Sequence, residues 1–88
     1  MQIVVIMEET KKLIQAFLEE QYSKTKWPFT SRVILDHQFG DNIGSALNAL
    51  YSEGIVYPRI GINGKLIEYI PEGDRRKEIR DKYLKIMR

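Results

Sequence analysis

The chain has 88 residues, 43% of them hydrophobic, with no cysteine and a formal net charge of +2. That describes one small domain, residues 1–88, with a modest core, marginal enough alone for a homodimer to be expected. The lack of cysteine excludes disulfides and thiolate metal sites, and the small net charge gives no large-scale electrostatic sign of a nucleic-acid partner.

Residues 1–7 hold the β-branched run Ile3-Val4-Val5-Ile6, which reads as an N-terminal strand or arm. It is too short to span a bilayer, has no basic residue ahead of it, and runs straight into Glu8-Glu9 instead of a cleavage site. No membrane partner is expected, and the location expected is cytoplasmic. From about Glu8 the spacing becomes helical, with Leu13, Ile14, Phe17, Leu18 and Tyr22 on one face. Trp27-Pro28 ends this first helix, because the residue before proline is pushed out of helical dihedrals. Trp27 itself reads as packing beneath the helix, with an exposed partner anchor as the alternative.

Thr30 and Ser31 are candidate caps for a second helix carrying Val33, Ile34, Leu35 and Phe39, which Gly40 ends. Asp41 and Asn42 offer a cap for a third helix running to about Ser52 or Glu53. Few residues separate these helices, so they meet at a tight corner, the helix-turn-helix arrangement. At 100° per residue, Ile43, Ala46, Leu47, Leu50 and Tyr51 share an arc of about 140°. The opposite arc carries Asn42, Ser45, Asn48, Ala49 and Ser52: small, polar and uncharged. Gly54 supplies a left-handed stop. Ile55 to Ile60 and Leu66 to Ile70 then read as two strands about Asn63-Gly64, a type I′ hairpin signal. Pro58 confines its strand to an edge or marks a bulge.

The run Ser45-Ala46-Leu47-Asn48-Ala49-Leu50-Tyr51-Ser52-Glu53-Gly54-Ile55-Val56 resembles the recognition helix and first wing strand of winged helix-turn-helix transcriptional regulators, nearest to the PadR-like and MarR-like groups. Tyr69-Ile70-Pro71-Glu72-Gly73-Asp74-Arg75 is similar to their tyrosine-ended second wing strand and the glycine that opens a last helix. The likeness covers roughly residues 8–75. It implies an α+β winged helix: a three-helix core over 8–73, a two-stranded β-hairpin wing, a C-terminal helix over 74–88 and the N-terminal strand. It implies a dimeric, sequence-specific binder of double-stranded DNA that regulates transcription, with the third helix in the major groove.

Carried over by position, the base-reading residues are Asn42, Ser45, Asn48, Ala49 and Ser52, whose side chains suit adenine, several base edges and the thymine methyl. This face departs from the family in having no Arg or Lys. Phosphate contacts would then come from Arg32, Lys24, Lys26, Arg59 and Lys65. The missing cation also motivates a rival reading, a winged-helix protein-interaction module without DNA binding.

The C-terminal segment is basic, but Ile79, Tyr83, Ile86 and Met87 form an apolar stripe, and Glu78–Lys82 and Asp81–Lys85 stand at i,i+4 spacing. The stripe reads as a packing or dimer surface. No enzyme is indicated. His37 lacks the companions of a metal site, Gly61-Ile62-Asn63-Gly64-Lys65 is a hairpin and not a phosphate loop, and the serines have no evident base partner. No cofactor is expected.

Overall fold

The computed structural model describes residues 2–40 and 42–86, with side chains from residue 8 onward within those limits. Along the chain come α1 (Gln2–Thr25), β1 (Phe29–Ser31), α2 (Arg32–Phe39), α3 (Gly44–Ser52), β2 (Val56–Gly61), β3 (Gly64–Tyr69) and α4 (Asp74–Ile86). The strands form one antiparallel sheet in the order β1-β3-β2. The class is α+β.

Residues 2–7 are the first turns of α1, which is 24 residues long, and not a strand. β-branched propensity is a weak preference, and a terminal strand also needs a ladder partner. Among the described residues none is offered, whereas extending the helix satisfies each main-chain group internally. At the other end Thr25 Oγ1 donates to the Gln21 carbonyl (2.9 Å) and accepts from the Trp27 N–H (3.1 Å). Lys26 then takes φ +59 to release the chain. Ile14 and Leu18 are buried as the spacing predicts, but Leu13 faces solvent.

Phe29-Thr30-Ser31, expected only as a link to α2, is a short strand paired with β3 through Thr30↔Ile67. Ser31 then caps α2, its hydroxyl accepting the Val33 N–H at 3.3 Å. On α2, Leu35 enters the core and Phe39 meets Phe17 edge-on at 5.6 Å. Val33 and Ile34 turn outward instead.

The cap expected for α3 is absent: Ile43 holds the N-cap position with no side-chain bond, Asn42 precedes it, and Asp41 lies outside the described residues. Burial of Ile43 anchors the start, and its carbonyl accepts the Leu47 N–H at 2.9 Å. The end of α3 follows expectation. Gly54 at φ +77 donates to the Tyr51 carbonyl (2.9 Å), and Ile55 N–H reaches back to Leu50 (3.0 Å). That pair of bonds is a Schellman stop, which needs the left-handed residue glycine supplies.

β2 and β3 pair from Val56↔Tyr69 to Gly61↔Gly64, so the two turn residues are Ile62 and Asn63, one step earlier than expected. Neither has positive φ, and Gly64 takes +129 instead. The glycines at 61 and 64 face each other across the turn, and the type I′ assignment falls. Pro58 does lie on an edge strand, β2.

The core is Ile14 and Leu18 from α1, Leu35 from α2, Ile43, Ala46, Leu47 and Leu50 at α3, and Ile55, Val56, Ile67 and Tyr69 from the sheet. It lies between the three helices and one face of the sheet. α4 stands outside this core and packs on α3. Its first turn meets Gly54, where an added Cβ would stand 2.0 Å from the Arg76 carbonyl oxygen. Seven residues further on, Tyr83 reaches Asn48, so α4 runs back along α3.

Candidate nucleic-acid interface

The outer side of α3 is framed on one flank by α4. Asn48 Nδ2 donates to the Tyr83 hydroxyl at 3.1 Å, and the Tyr83 ring packs edge-on against Tyr51 (centroids 4.9 Å). Asn48 keeps its carbonyl and a second N–H, so a bidentate pair with adenine stays chemically available. Ser52 turns its hydroxyl back to the Ala49 carbonyl at 2.7 Å, and both residues are half-buried. Asn42 and Ser45 are exposed, with no side-chain bond among the described residues. Ser45, Asn48, Ala49 and Ser52 therefore share one face of α3 with Asn42 just ahead of it, but only Asn42 and Ser45 are unengaged.

The dimer stripe expected on α4 is partly used within the chain. Ile79 is buried, and Tyr83 is taken up by Asn48 and Tyr51. Ile86 and Leu84 remain exposed, and Met87 lies outside the described residues. The reason is geometric: an apolar stripe must be covered, and the close approach at Gly54 lets α3 cover it before any second chain does.

Seating α4 this way changes the electrostatics. Arg76, Lys77 and Arg80 line a groove of about 420 Å³ together with Ser52, Glu53 and Glu72. Arg76 is structural, donating Nε to the Ile70 carbonyl (2.8 Å) and Nη2 to the Tyr69 hydroxyl (3.0 Å). Glu53, still a wall of this groove, is ion-paired with Lys11, whose ammonium it holds above the usual lysine range. Lys77 and Arg80 are exposed. α4 thus lays two cations beside the C-terminal turn of α3, the helix that carries none itself.

The hairpin gathers a second set. Arg32, Arg59 and Lys65 line one groove of about 390 Å³ with Pro58, Ile60 and Leu66. Two of the three carry partners: Arg32 Nε lies 3.0 Å from Asp36, and Arg59 Nε 2.9 Å from Glu68. Glu68, 4% exposed, also receives Arg75 Nη1 at 2.8 Å. Lys65 is exposed at the turn. Tyr57 stands between Arg59 (4.6 Å from its centroid) and Lys82 (4.8 Å), and Lys82 also donates to its hydroxyl at 2.7 Å. That bond holds the Tyr57 phenol below the ordinary tyrosine range.

Lys24 and Lys26 sit apart, at the end of α1. Lys24 pairs with Glu20 at 2.8 Å and Lys26 lies over the Tyr22 ring at 5.7 Å. Among the described residues neither bonds to α3 or α4. Sequence reasoning passed over Lys77 and Arg80 as interface residues, because no local signal tells which way a basic amphipathic helix will dock. Among the described residues there is no cluster of potential metal ligands, and no helix is long and apolar enough to cross a membrane. Comparison of the chain with protein-family models, curated proteins and solved structures finds no match.

Proposed function

We propose that this chain is a winged-helix domain that binds double-stranded DNA, with α3 facing the major groove and the β2–β3 hairpin on the flanking backbone. The observation that carries the reading is the position of α4: Lys77 and Arg80 stand beside Ser52 at the C-terminal end of the neutral polar face of α3, in a groove they share with Glu53 and Glu72. Phosphates flanking a groove-bound helix need cations at its border, and base edges need small polar side chains at its centre. Arg32, Arg59 and Lys65 form a second basic set along the hairpin, with Arg32 and Arg59 each ion-paired and Lys65 exposed. Its biological role, on this reading, is transcriptional regulation.

The test is a fluorescence-anisotropy titration on a random-sequence duplex at two salt concentrations. With about four phosphate contacts, affinity should fall roughly 100-fold between about 50 and about 200 mM salt. Lys77→Ala should weaken all sequences alike and reduce the salt slope by about one contact. Salt-insensitive binding, or none at low salt, refutes the reading.

A protein-interaction module is the second reading, favoured by the ion pairs that occupy Arg32 and Arg59 and by the Tyr83 bond on Asn48. It gains support if the duplex is ignored at both salts. If two copies associate through α4, the exposed Leu84 and Ile86 supply the contact.

A further inference from the structure

The two edges of the sheet are not alike. Ile70 N–H donates to the Ile55 carbonyl at 2.8 Å, so along β2 the main-chain groups of Tyr57 and Arg59 face β3 while those of Val56, Pro58 and Ile60 face outward. Pro58, with no N–H to offer, blunts that edge. On the other side Tyr69 N–H donates to the Pro28 carbonyl at 2.7 Å, which turns Thr30 toward β3 and the main chain of Phe29 and Ser31 outward. Among the described residues no strand lies on this side of β1.

Beside this open edge runs a groove of about 360 Å³ whose walls include Phe17, Trp27, Phe29 and Ile34. Trp27 is 65% exposed, contrary to the expectation that it packs beneath α1, and meets Phe29 edge-on at 5.4 Å. Ile34 and Val33 are 52% and 72% exposed next to it. Cations stand at both ends. Lys26 leads into β1, and Lys65 adjoins Leu66, the register partner of Ser31. Neither forms an ion pair with a carboxylate among the described residues.

We propose that the β1 edge binds an extended segment of a partner protein, apolar in its middle and acidic at both ends, added as a fourth strand. Outward amides recognise an extended backbone, the groove receives an alternate apolar side chain, and Lys26 and Lys65 meet the acidic ends. Lys26 to Ser31 is five residue steps, at most about 17 Å of chain, so the carboxylates stand roughly five residues apart. A second copy of this chain fits less well. Its own edge segment, Lys26 to Arg32, carries no carboxylate to face Lys26 and Lys65. The proposal does not rest on the DNA reading: Trp27 and Ile34 take no part in that interface, and Lys65 is the one residue that both would use.

The experiment uses a fluorescein-labelled peptide with Val-Phe-Val-Ile between paired acidic residues, and the same core between paired lysines. The acidic form should bind at least about tenfold more tightly than the lysine form. Amide hydrogen exchange should slow at Phe29 and Ser31. Ile34→Asp, at a site already half exposed, should cost at least about tenfold in peptide affinity while leaving duplex binding unchanged. Four results overturn the proposal: no saturable binding up to about 1 mM (weaker than about −4 kcal/mol), equal affinity for the two peptides, no effect of Ile34→Asp, or a self-associating protein that Ile34→Asp makes monomeric.

Discussion

Substituting the glycines at the two ends of α3, Gly44 at its start and Gly54 just past its end, should change stability in opposite directions. Gly54 has φ +77, which costs an L-residue about 1–2 kcal/mol. Its added Cβ would also stand 2.0 Å from the Arg76 carbonyl oxygen, a main-chain atom that no rotamer change can remove. The first turn of α4 must therefore withdraw, straining the bonds from Arg76 to the Ile70 carbonyl and the Tyr69 hydroxyl, each worth about 1 kcal/mol. Together these predict that Gly54→Ala destabilises by about 3–4 kcal/mol. Gly44, the first residue of α3, has ordinary dihedrals and open space around its Cβ position, so Gly44→Ala should stabilise by about 0.5 kcal/mol. Urea denaturation followed by circular dichroism measures both, and at a slope near 1.5 kcal/mol/M the Gly54 variant should unfold about 2 M earlier than the parent. A Gly54→Ala protein within about 1 kcal/mol of the parent would refute the seating of α4 against α3.

Three further outcomes are expected. Glu68→Gln should lower stability by about 1 kcal/mol, the half-exposed arginines limiting the loss, and should tighten non-specific duplex binding by releasing Arg59 and Arg75; a weaker-binding variant counts against those arginines as phosphate contacts. Tyr83→Phe should cost about 0.5 kcal/mol while keeping the contact with Tyr51, and should raise duplex affinity about twofold by freeing the Asn48 amide; a fall in affinity would show that the hydroxyl itself serves binding. Burial raises the Tyr69 phenol above its ordinary value despite Arg76 nearby, so the neutral ring contributes stability below about pH 10 that is lost as pH rises further. Urea midpoints at rising alkaline pH should therefore fall less steeply for Tyr69→Phe, and parallel profiles would argue against this cause.

What the sequence made legible is the part governed by single residues with one conformational role. Gly54 marked the end of α3, the periodicity of Ile43, Ala46, Leu47 and Leu50 marked its buried side, and Pro58 marked an edge. The failures have physical causes as well. β1 is three residues long, too short for alternation to register, and its pairing with β3 is a long-range contact. The run from Ile3 to Ile6 has strand propensity, but propensity yields to continuity with the helix that follows. Placing the turn at Asn63-Gly64 weighed a dipeptide preference above the Gly61↔Gly64 register. The candidate interface was half readable. The polar arc of α3 follows from helical spacing, whereas the cations that border it arrive through α4, whose docking depends on a close approach between segments over twenty residues apart.

Glu68 joins parts that the chain order separates. One buried carboxylate on β3 accepts Arg59 from β2 and Arg75 from α4, so the two arginines compete for a single charge. A phosphate that draws Arg59 outward leaves Glu68 wholly to Arg75 and fastens α4 more firmly, with Lys77 and Arg80 in place beside α3. On the proposed DNA reading, engagement at the hairpin and at α4 is therefore expected to be cooperative, each strengthening the other by the same factor through linkage.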